Sequence, residues 1–397
     1  MIARAFIYLI VVVVLADAYL HVRFLRRLRW WWQLLWWLPL LLLTGCACWL
    51  RREPDFVPTN MTLLNTFLFA YLVTVVPKAL FALCDAAGLA LGHWWKKGRL
   101  AGLTAGAIAA VVTVFAVCYS YFVGFYSFEV TRVELAFPDL PKRFDGYRIV
   151  LWSDAHVGTL TGERQKILAR VIDSINAQKA DMVVFTGDLQ NVRPQEIEPH
   201  RELLSSIKAR DGVFSVMGNH DYPVYSGADE FQKYADLGTR CGIDEELGWT
   251  LLSNTHRTIR RGDDHIVIAG MENDGEGKSD RDPQLGDIQL ALWGVSRDEF
   301  VVMLEHDPRS WRRTILPHSH TQLTLSGHTH AMQLALPLPW GGAKGWVSPV
   351  SIAYKEAWGL YRIGQRALYV TKGLGGVIPF RLGASGEIVV ITLKIEN

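Results

Sequence analysis

Four long apolar stretches, near residues 2–20, 30–50, 61–84 and 103–125, fill the first third of this 397-residue chain. Each is close to the ~20 residues that a helix needs to cross the hydrocarbon core of a bilayer, so four spanning helices are expected. The composition divides at the same place. Residues 1–126 hold eleven Lys/Arg against four Asp/Glu and eight of the fifteen Trp, whereas the remaining 271 residues hold thirty against thirty-five. A small water-soluble domain could hardly bury such a first third, which excludes a purely soluble protein. Residues 17–20 offer no small-residue cleavage pattern and another apolar run follows almost at once, so the first stretch is expected to be retained. The net charge of +2 gives no electrostatic reason to expect nucleic acid as a partner.

Basic residues orient the spans. Arg23, Arg26, Arg27 and Arg29 follow the first stretch and Lys96, Lys97 and Arg99 follow the third, seven in all, against Arg4, Arg51 and Arg52 on the other side. Because Lys and Arg are retained in the cytoplasm, both basic loops are expected inside and the rest of the chain, after a fourth crossing, outside. Trp30, Trp31, Trp32, Trp94 and Trp95 beside these charges suit an aromatic belt at the interface. Pro77 and Lys78 read as a kink with a lysine snorkelling or facing the bundle rather than as an ion pathway, and Asp17 and Asp85 are read in the same way. Cys46, Cys48, Cys84 and Cys118 lie in the apolar third and Cys241 stands alone beyond it, so neither a disulfide framework nor a thiolate metal site is expected.

From residue 127 the pattern changes to short β-branched runs that end in Asp, Asn, His or Gly, the rhythm of an α/β domain. The runs are residues 147–152, 181–185, 212–217, 265–269, 300–304 and 322–325. Between the first two, Ile167, Leu168, Val171, Ile172 and Ile175 recur at helical spacing, which makes a strand-helix-strand unit. Residues 127–146, with Pro138 and Pro141, read as a linker and edge strand, and the Gly- and Asp-rich residues 271–299 as a long surface loop. The expected organisation is a transmembrane region at 1–126, the linker and edge strand at 127–146, and a folded domain at 147–397.

The groups that carry chemistry sit at the ends of these strands. They are Asp154-Ala-His156, Gly187-Asp188, Gly218-Asn219-His220-Asp221, Glu305-His306-Asp307 and Gly327-His328-Thr329-His330. The carboxyl ends of strands in an α/β sheet share one edge, so these distant residues are expected to converge there. Oxygen and nitrogen donors without thiolate suit Mn, Fe or Zn. A carboxylate between two sub-sites can bridge two divalent cations about 3.5–4 Å apart, the separation that clamps a phosphoryl group. Taken singly each piece is an ordinary surface turn; five in order behind five strands form a pattern.

That order, D-x-H, G-D, G-N-H-D, an isolated His and G-H-x-H, resembles the calcineurin-like metallophosphoesterase family over roughly residues 147–395. Residues 369–375 and 378–383 are similar to the C-terminal segment of its membrane-associated bacterial branch, which includes YkuE-type phosphohydrolases. The resemblance implies a four-layer αββα sandwich. It also implies one metal ion held by Asp154, His156, Asp188 and His330, and a second held by Asp188, Asn219, His306 and His328, with Asp188 bridging the two. His220 would stand beside the metals as proton donor to the leaving oxygen, Asp221 would orient its imidazole, and a hydroxide bridging the cations would attack.

Two departures from the family pattern bear on the substrate cleft rather than on the metals. Leu189, Gln190 and Asn191 follow Gly187-Asp188 where relatives often carry a further acid, and Ala331-Met332-Gln333 stands where Gly-Gly-Gln is frequent. Arg381 reads equally as an anion grip or a structural ion pair, and His318 and His320 as surface or outer residues. The function implied is that of a membrane-anchored dinuclear phosphoesterase cleaving phosphomonoesters, phosphodiesters or pyrophosphates, lipid-linked ones included, outside a bacterial inner membrane. The alternative is a non-catalytic membrane sensor or scaffold that binds a phosphorylated ligand through the same fold.

Overall fold

The computed structural model describes residues 2–55, 57–58, 60–277, 282–337 and 345–396, with side chains in the first helix from Ile10 onward. Part of the expected 271–299 loop, residues 278–281, therefore lies outside the described residues. The chain divides into two compact units, Met1–Val123 and Gly124–Asn397.

The first unit contains α1 (Ile2–Leu20), α2 (Trp30–Leu50), α3 (Met61–Leu91) and α4 (Gly98–Phe122). Among the described residues three helices are long and apolar enough to cross a membrane, Trp30–Leu50, Met61–Leu91 and Gly98–Tyr126, one fewer than the four expected. The remaining one, α1, is a 19-residue helix of which eight side chains lie outside the described set. Pro77 does not interrupt α3, which runs for 31 residues. Lys78 faces the bundle: its Nζ lies 2.8 Å from Asp17 Oδ1 and 4.2 Å from the centre of the Trp36 ring. About two α-helical turns further on, Asp85 accepts from Arg23 Nε at 3.1 Å and from the Tyr19 hydroxyl at 2.7 Å. Both carboxylates are buried, and a buried charge needs a partner of this kind.

Helices α3 and α4 meet through glycine. Gly98, Gly102 and Gly106 recur every fourth residue along α4, and a Cβ on Gly102 would lie 2.5 Å from Gly88 Cα and 2.6 Å from the Cys84 carbonyl oxygen. Small residues at this spacing let two helix backbones touch in an apolar medium, where packing rather than water drives association. All five cysteines are free.

The second unit is built on two six-stranded sheets. Its strands are, in chain order, β1 (Phe128–Phe137), β2 (Arg148–Trp152), β3 (Met182–Phe185), β4 (Val213–Ser215), β5 (Thr250–Leu251), β6 (Thr255–Arg261) and β7 (Asp264–Gly270), followed by β8 (Val301–Leu304), β9 (Leu323–Ser326), β10 (Leu336–Pro337), β11 (Trp346–Val347), β12 (Gly359–Ile363), β13 (Arg366–Val370) and β14 (Gly386–Ile395). One sheet has the order β1-β14-β2-β3-β4-β5 and the other β12-β13-β9-β8-β7-β6. Strands β2 to β5 run parallel to one another in one sheet, as do β7, β8, β9 and β13 in the other, so their carboxyl ends lie at one edge of each sheet.

Side-chain alternation decides the layers, because successive residues of a strand face opposite ways. Ile149 and Leu151 of β2, Met182 and Val184 of β3, Ile266 and Ile268 of β7, and Val302 and Leu304 of β8 form the core between the sheets. Val150, Trp152, Val183 and Phe185 face the other way, onto α5 (Gln165–Ala177). That helix buries Ile167, Leu168, Val171, Ile172 and Ile175, the stripe its spacing predicts. On the far side Val267, Ala269, Val301 and Met303 pack against Trp311 and Ile315. The result is the expected four-layer αββα sandwich. Residues 127–146 yield more strand than linker: β1 spans ten residues and pairs in parallel with β14, Phe128 opposite Gly386 through Phe137 opposite Ile395.

Candidate metal centre

Each expected ligand follows a strand within a few residues. Asp154 and His156 come after β2, Asp188 after β3, Asn219 after β4, His306 after β8, and His328 and His330 after β9. Strands of both sheets thus deliver side chains to one place. Gly187 permits the approach: its φ is +95°, and a Cβ on it would overlap Gly218 N of the next loop. Backbone hydrogen bonds tie the loops together, from Asp154 N to Gly187 O at 2.9 Å and from His156 N to Asp188 O at 3.1 Å.

Two groups of donors result. The ligand atoms of Asp154, His156, Asp188 and His330 lie within 4.8 Å of one another, as do those of Asp188, His306 and His328. In the first group His156 Nε2 and His330 Nε2 are 3.3 Å apart, His330 Nε2 is 3.3 Å from Asp154 Oδ1, and His156 Nε2 is 3.6 Å from Asp188 Oδ2. Donor atoms bound ~2.1 Å from a common cation stand about 3.0–3.5 Å apart, so these spacings fit one ion. In the second group His306 Nε2 lies 3.2 Å from the same Asp188 Oδ2, and His328 Nδ1 lies 2.8 Å from Asn219 Oδ1. Asp188 Oδ2 is therefore shared, while Asp188 Oδ1 accepts from His220 N at 2.8 Å.

The unused ring nitrogens are fixed from behind. His306 Nδ1 is 2.6 Å from the Thr186 carbonyl oxygen, which directs Nε2 into the site, and His328 Nε2 is 2.7 Å from the Tyr354 hydroxyl. Such outer contacts set the tautomer and aim of a ligand imidazole. The backbone is strained at the same positions: Asp154, His156, Asp188, His328 and His330 have φ of +53°, +46°, +61°, +70° and +51°. Left-handed conformation costs a non-glycine residue about 1–2 kcal/mol, and such strain gathers where structure is arranged for function.

Burial governs the protonation of these groups. It pushes Asp154 up to about 7 and His156 down to about 3, the latter helped by the neighbouring His220. Burial and then His156 hold His330 well below the usual imidazole range. For Asp188 burial acts upward, but His306 and His220 outweigh it and keep the carboxyl well below the usual range. His306 is the converse case: burial acts downward, yet Asp188 outweighs it and raises His306 to about 10. The buried His306 Nε2 and His330 Nδ1 have no hydrogen-bond partner among the described residues. Ionised Asp188 and neutral imidazoles with unused lone pairs make a donor set that suits divalent cations, and a cation in the second group would take the place of the proton that Asp188 favours on His306.

Two sequence readings need correction. Asp221 does not orient His220. Its oxygens accept from the backbone N–H groups of Asp188, Leu189 and Gly218 at 2.7, 3.0 and 2.9 Å and from Arg240 Nε at 3.0 Å. The three amides and the guanidinium all lie behind the site, so the carboxylate turns away from the imidazole. His220 Nδ1 instead lies 2.6 Å from the Asn191 carbonyl oxygen, and the ring stacks on Tyr225 with centroids 4.1 Å apart. Arg381 is neither an anion grip nor half of an ion pair: its fully buried guanidinium donates to the carbonyl oxygens of Lys372, Gly373, Gly375 and Ala384. His318 and His320 line a separate surface groove with Ile288 and Arg297. Asn191, Tyr354 and Arg240 contribute to the site without any motif to announce them.

The family model for calcineurin-like phosphoesterases matches residues 147–332. A Bacillus subtilis (strain 168) protein called uncharacterized metallophosphoesterase YkuE is 31% identical over 306 residues, covering 76% of this chain and 96% of that protein. A Danio rerio transmembrane protein with metallophosphoesterase domain is 32% identical over 272 residues, covering 67% of this chain. The chain spans only 57% of the length of that zebrafish relative. Sequence order, sandwich fold and donor geometry agree with these likenesses: the chain belongs to the calcineurin-like metallophosphoesterase family and is a metal-dependent phosphoesterase.

Proposed function

We propose that this protein hydrolyses phosphoesters with two divalent cations, one held by Asp154, His156, Asp188 and His330 and the other by Asp188, Asn219, His306 and His328. The carrying observation is the single oxygen, Asp188 Oδ2, that stands 3.6 Å from His156 Nε2 and 3.2 Å from His306 Nε2. When bound, the cations supply Lewis acidity at the phosphorus oxygens and lower the pKa of water so that it can attack near neutral pH. The chain does the rest. Asn191 O takes the hydrogen bond from His220 Nδ1–H and so sets the ring's tautomer and aim, and His220 Nε2 would deliver a proton to the leaving oxygen. Tyr225 stacked on the ring limits its rotation.

The substrate is a phosphomonoester, phosphodiester or pyrophosphate, and a lipid-linked one suits a catalytic unit joined to membrane-spanning helices. The protein then works as a multi-pass protein of a bacterial inner membrane, with residues 124–397 outside the cytoplasm. A hydrolysis screen on detergent-purified protein reconstituted with Mn, Fe or Zn tests the reaction. Asp188→Asn should lower metal content and turnover together, whereas two ions per chain at undiminished affinity would overturn the bridging role. His220→Ala should keep both ions and lose about 10²-fold or more in turnover, with a smaller loss on a nitrophenyl ester. Equal losses on good and poor leaving groups would reject proton donation.

A further inference from the structure

A soluble domain buries most of its large apolar side chains, yet five around the metal centre stand in the open. Ile352 is 93% exposed, Met332 59%, Leu336 45%, Trp346 42% and Ile378 39%. They belong to segments joined to the ligand loop. Met332 lies two residues beyond His330, and Ile352 two residues before Tyr354, whose hydroxyl bonds His328 Nε2. Ser348 donates to Ala331 O at 2.6 Å, Leu382 N to Gln333 O at 2.9 Å, and Gln333 Nε2 to Ile378 O at 3.0 Å. The exposed side chains thus sit on hydrogen-bonded segments that adjoin the ligand loop, although Phe231, Tyr234 and Trp293 of the same domain are exposed too.

The rim is held out at a cost. His330, Ala331, Met332 and Gln333 have φ of +51°, +47°, +52° and +54°, four successive non-glycine residues in the left-handed region. Among the described residues, 331–337, 345–354 and 373–380 contain no side chain that is charged at neutral pH, with Lys355, Glu356 and Arg381 at their borders. An exposed patch of this kind marks a contact with another apolar body, and the lack of charge argues against an ionic protein interface. The chain supplies the candidate body itself. Three of its helices suit a bilayer, and five residues separate the end of α4 at Phe122 from the start of β1 at Phe128. Tryptophan at the rim, with aliphatic side chains around it, is the composition of an interfacial anchor.

We propose that the rim of Met332, Leu336, Trp346, Ile352 and Ile378 docks on the lipid bilayer surface, presenting the metal centre to phosphoesters in lipid headgroups. This rests on the phosphoesterase reading above and adds the surface by which a lipid substrate is met. Full-length protein in nanodiscs of phosphatidylcholine and a phosphatidic acid bearing a photoactivatable diazirine on its acyl chain tests it. Illumination should cross-link lipid to peptides containing Met332 and Ile352, with the helices of residues 1–123 as internal reference. Labelling confined to residues 1–123 would overturn the docking.

The double variant Met332→Ser, Ile352→Ser should lose the rim cross-links. It should also turn over headgroup phosphate at least about tenfold more slowly while hydrolysing nitrophenyl phosphate within about twofold of the parent. Equal losses on both substrates would mark the rim as structural and overturn the proposal, as would rim residues captured by a second copy of the chain instead of by lipid. Rim labelling without any hydrolysis would leave the docking standing and remove the enzymatic reading. Hydrolysis of the soluble ester without rim labelling would do the reverse.

Discussion

A carboxylate that faces three backbone amides and a buried guanidinium has no freedom to do anything else, and Asp221 is in that position. Its environment makes it a structural hub: it holds the amides of Asp188, Leu189 and Gly218, the turns from which Asp188 and Asn219 project. Arg240, fully buried, is neutralised by Asp221 and Asp244 together. Asp221→Asn would point an amide NH₂ at N–H donors and leave Arg240 one carboxylate short, so a loss of about 3–5 kcal/mol in stability is expected. Thermal unfolding should register that loss, and metal affinity should fall with it. A variant as stable as the parent, with a turnover defect that depends on the leaving group, would return Asp221 to a direct role at His220. The candidate ligands were legible because each is a residue type in a fixed place behind a strand. The partner of His220 was not, because a backbone carbonyl such as that of Asn191 leaves no signature in residue type, and neither does the approach of Tyr354 from elsewhere in the chain.

Elements that draw on local spacing were equally legible. The stripe of α5 and the six short strands follow from periodicity over a dozen residues or fewer, and their observed bounds lie within two residues of the expected ones. What periodicity cannot carry is pairing between distant segments. Strand β14 inserts between β1 and β2, joining Phe128 to Gly386 across most of the domain, and no local pattern specifies that neighbour. Helix packing is a similar case: an apolar run tells that a helix spans, but the face it packs by depends on small residues. Gly102 is the position at which α3 and α4 come closest, since a Cβ there would meet Gly88 Cα at 2.5 Å, whereas a Cβ on Gly45 of α2 would meet nothing within 4 Å. Gly102→Leu should therefore cost about 1–3 kcal/mol or more in the detergent-solubilised protein, and Gly45→Ala close to nothing. Unfolding midpoints measured side by side check this, and equal effects at the two sites would show that the glycine contact does not hold the helices.

For the molecule as a whole, the ion pairs of the first unit settle which of its loops share a face. Arg23 pairs with Asp85 and Lys78 with Asp17, so the C-terminal end of α1 lies against the C-terminal half of α3. The loops that follow these two helices carry Arg26, Arg27 and Arg29 in one case and Lys96, Lys97 and Arg99 in the other, and they stand on the same side. Charge counting alone had to assume that arrangement. At 31 residues α3 is about 46 Å long against a hydrocarbon core of about 30 Å, so its Asp85 end can reach the headgroups where Arg23 is solvated. Cations gathered on one face are retained in the cytoplasm. On the proposed orientation, with residues 21–29 held inside, α2, α3 and α4 would make three crossings and deliver residues 124–397 outside, whether or not α1 also crosses. Alkaline phosphatase fused after Asp145 should accordingly be active, and a fluorescent protein that matures only in the cytoplasm should stay dark at the same junction. The opposite pair of results would reverse the orientation and move the substrate pool to cytoplasmic phosphoesters. Exchanging Arg26, Arg27 and Arg29 for Gln supplies the physical control: if retention of these charges sets the topology, phosphatase activity should fall as they are removed, and an unchanged signal would place the determinant elsewhere in the chain.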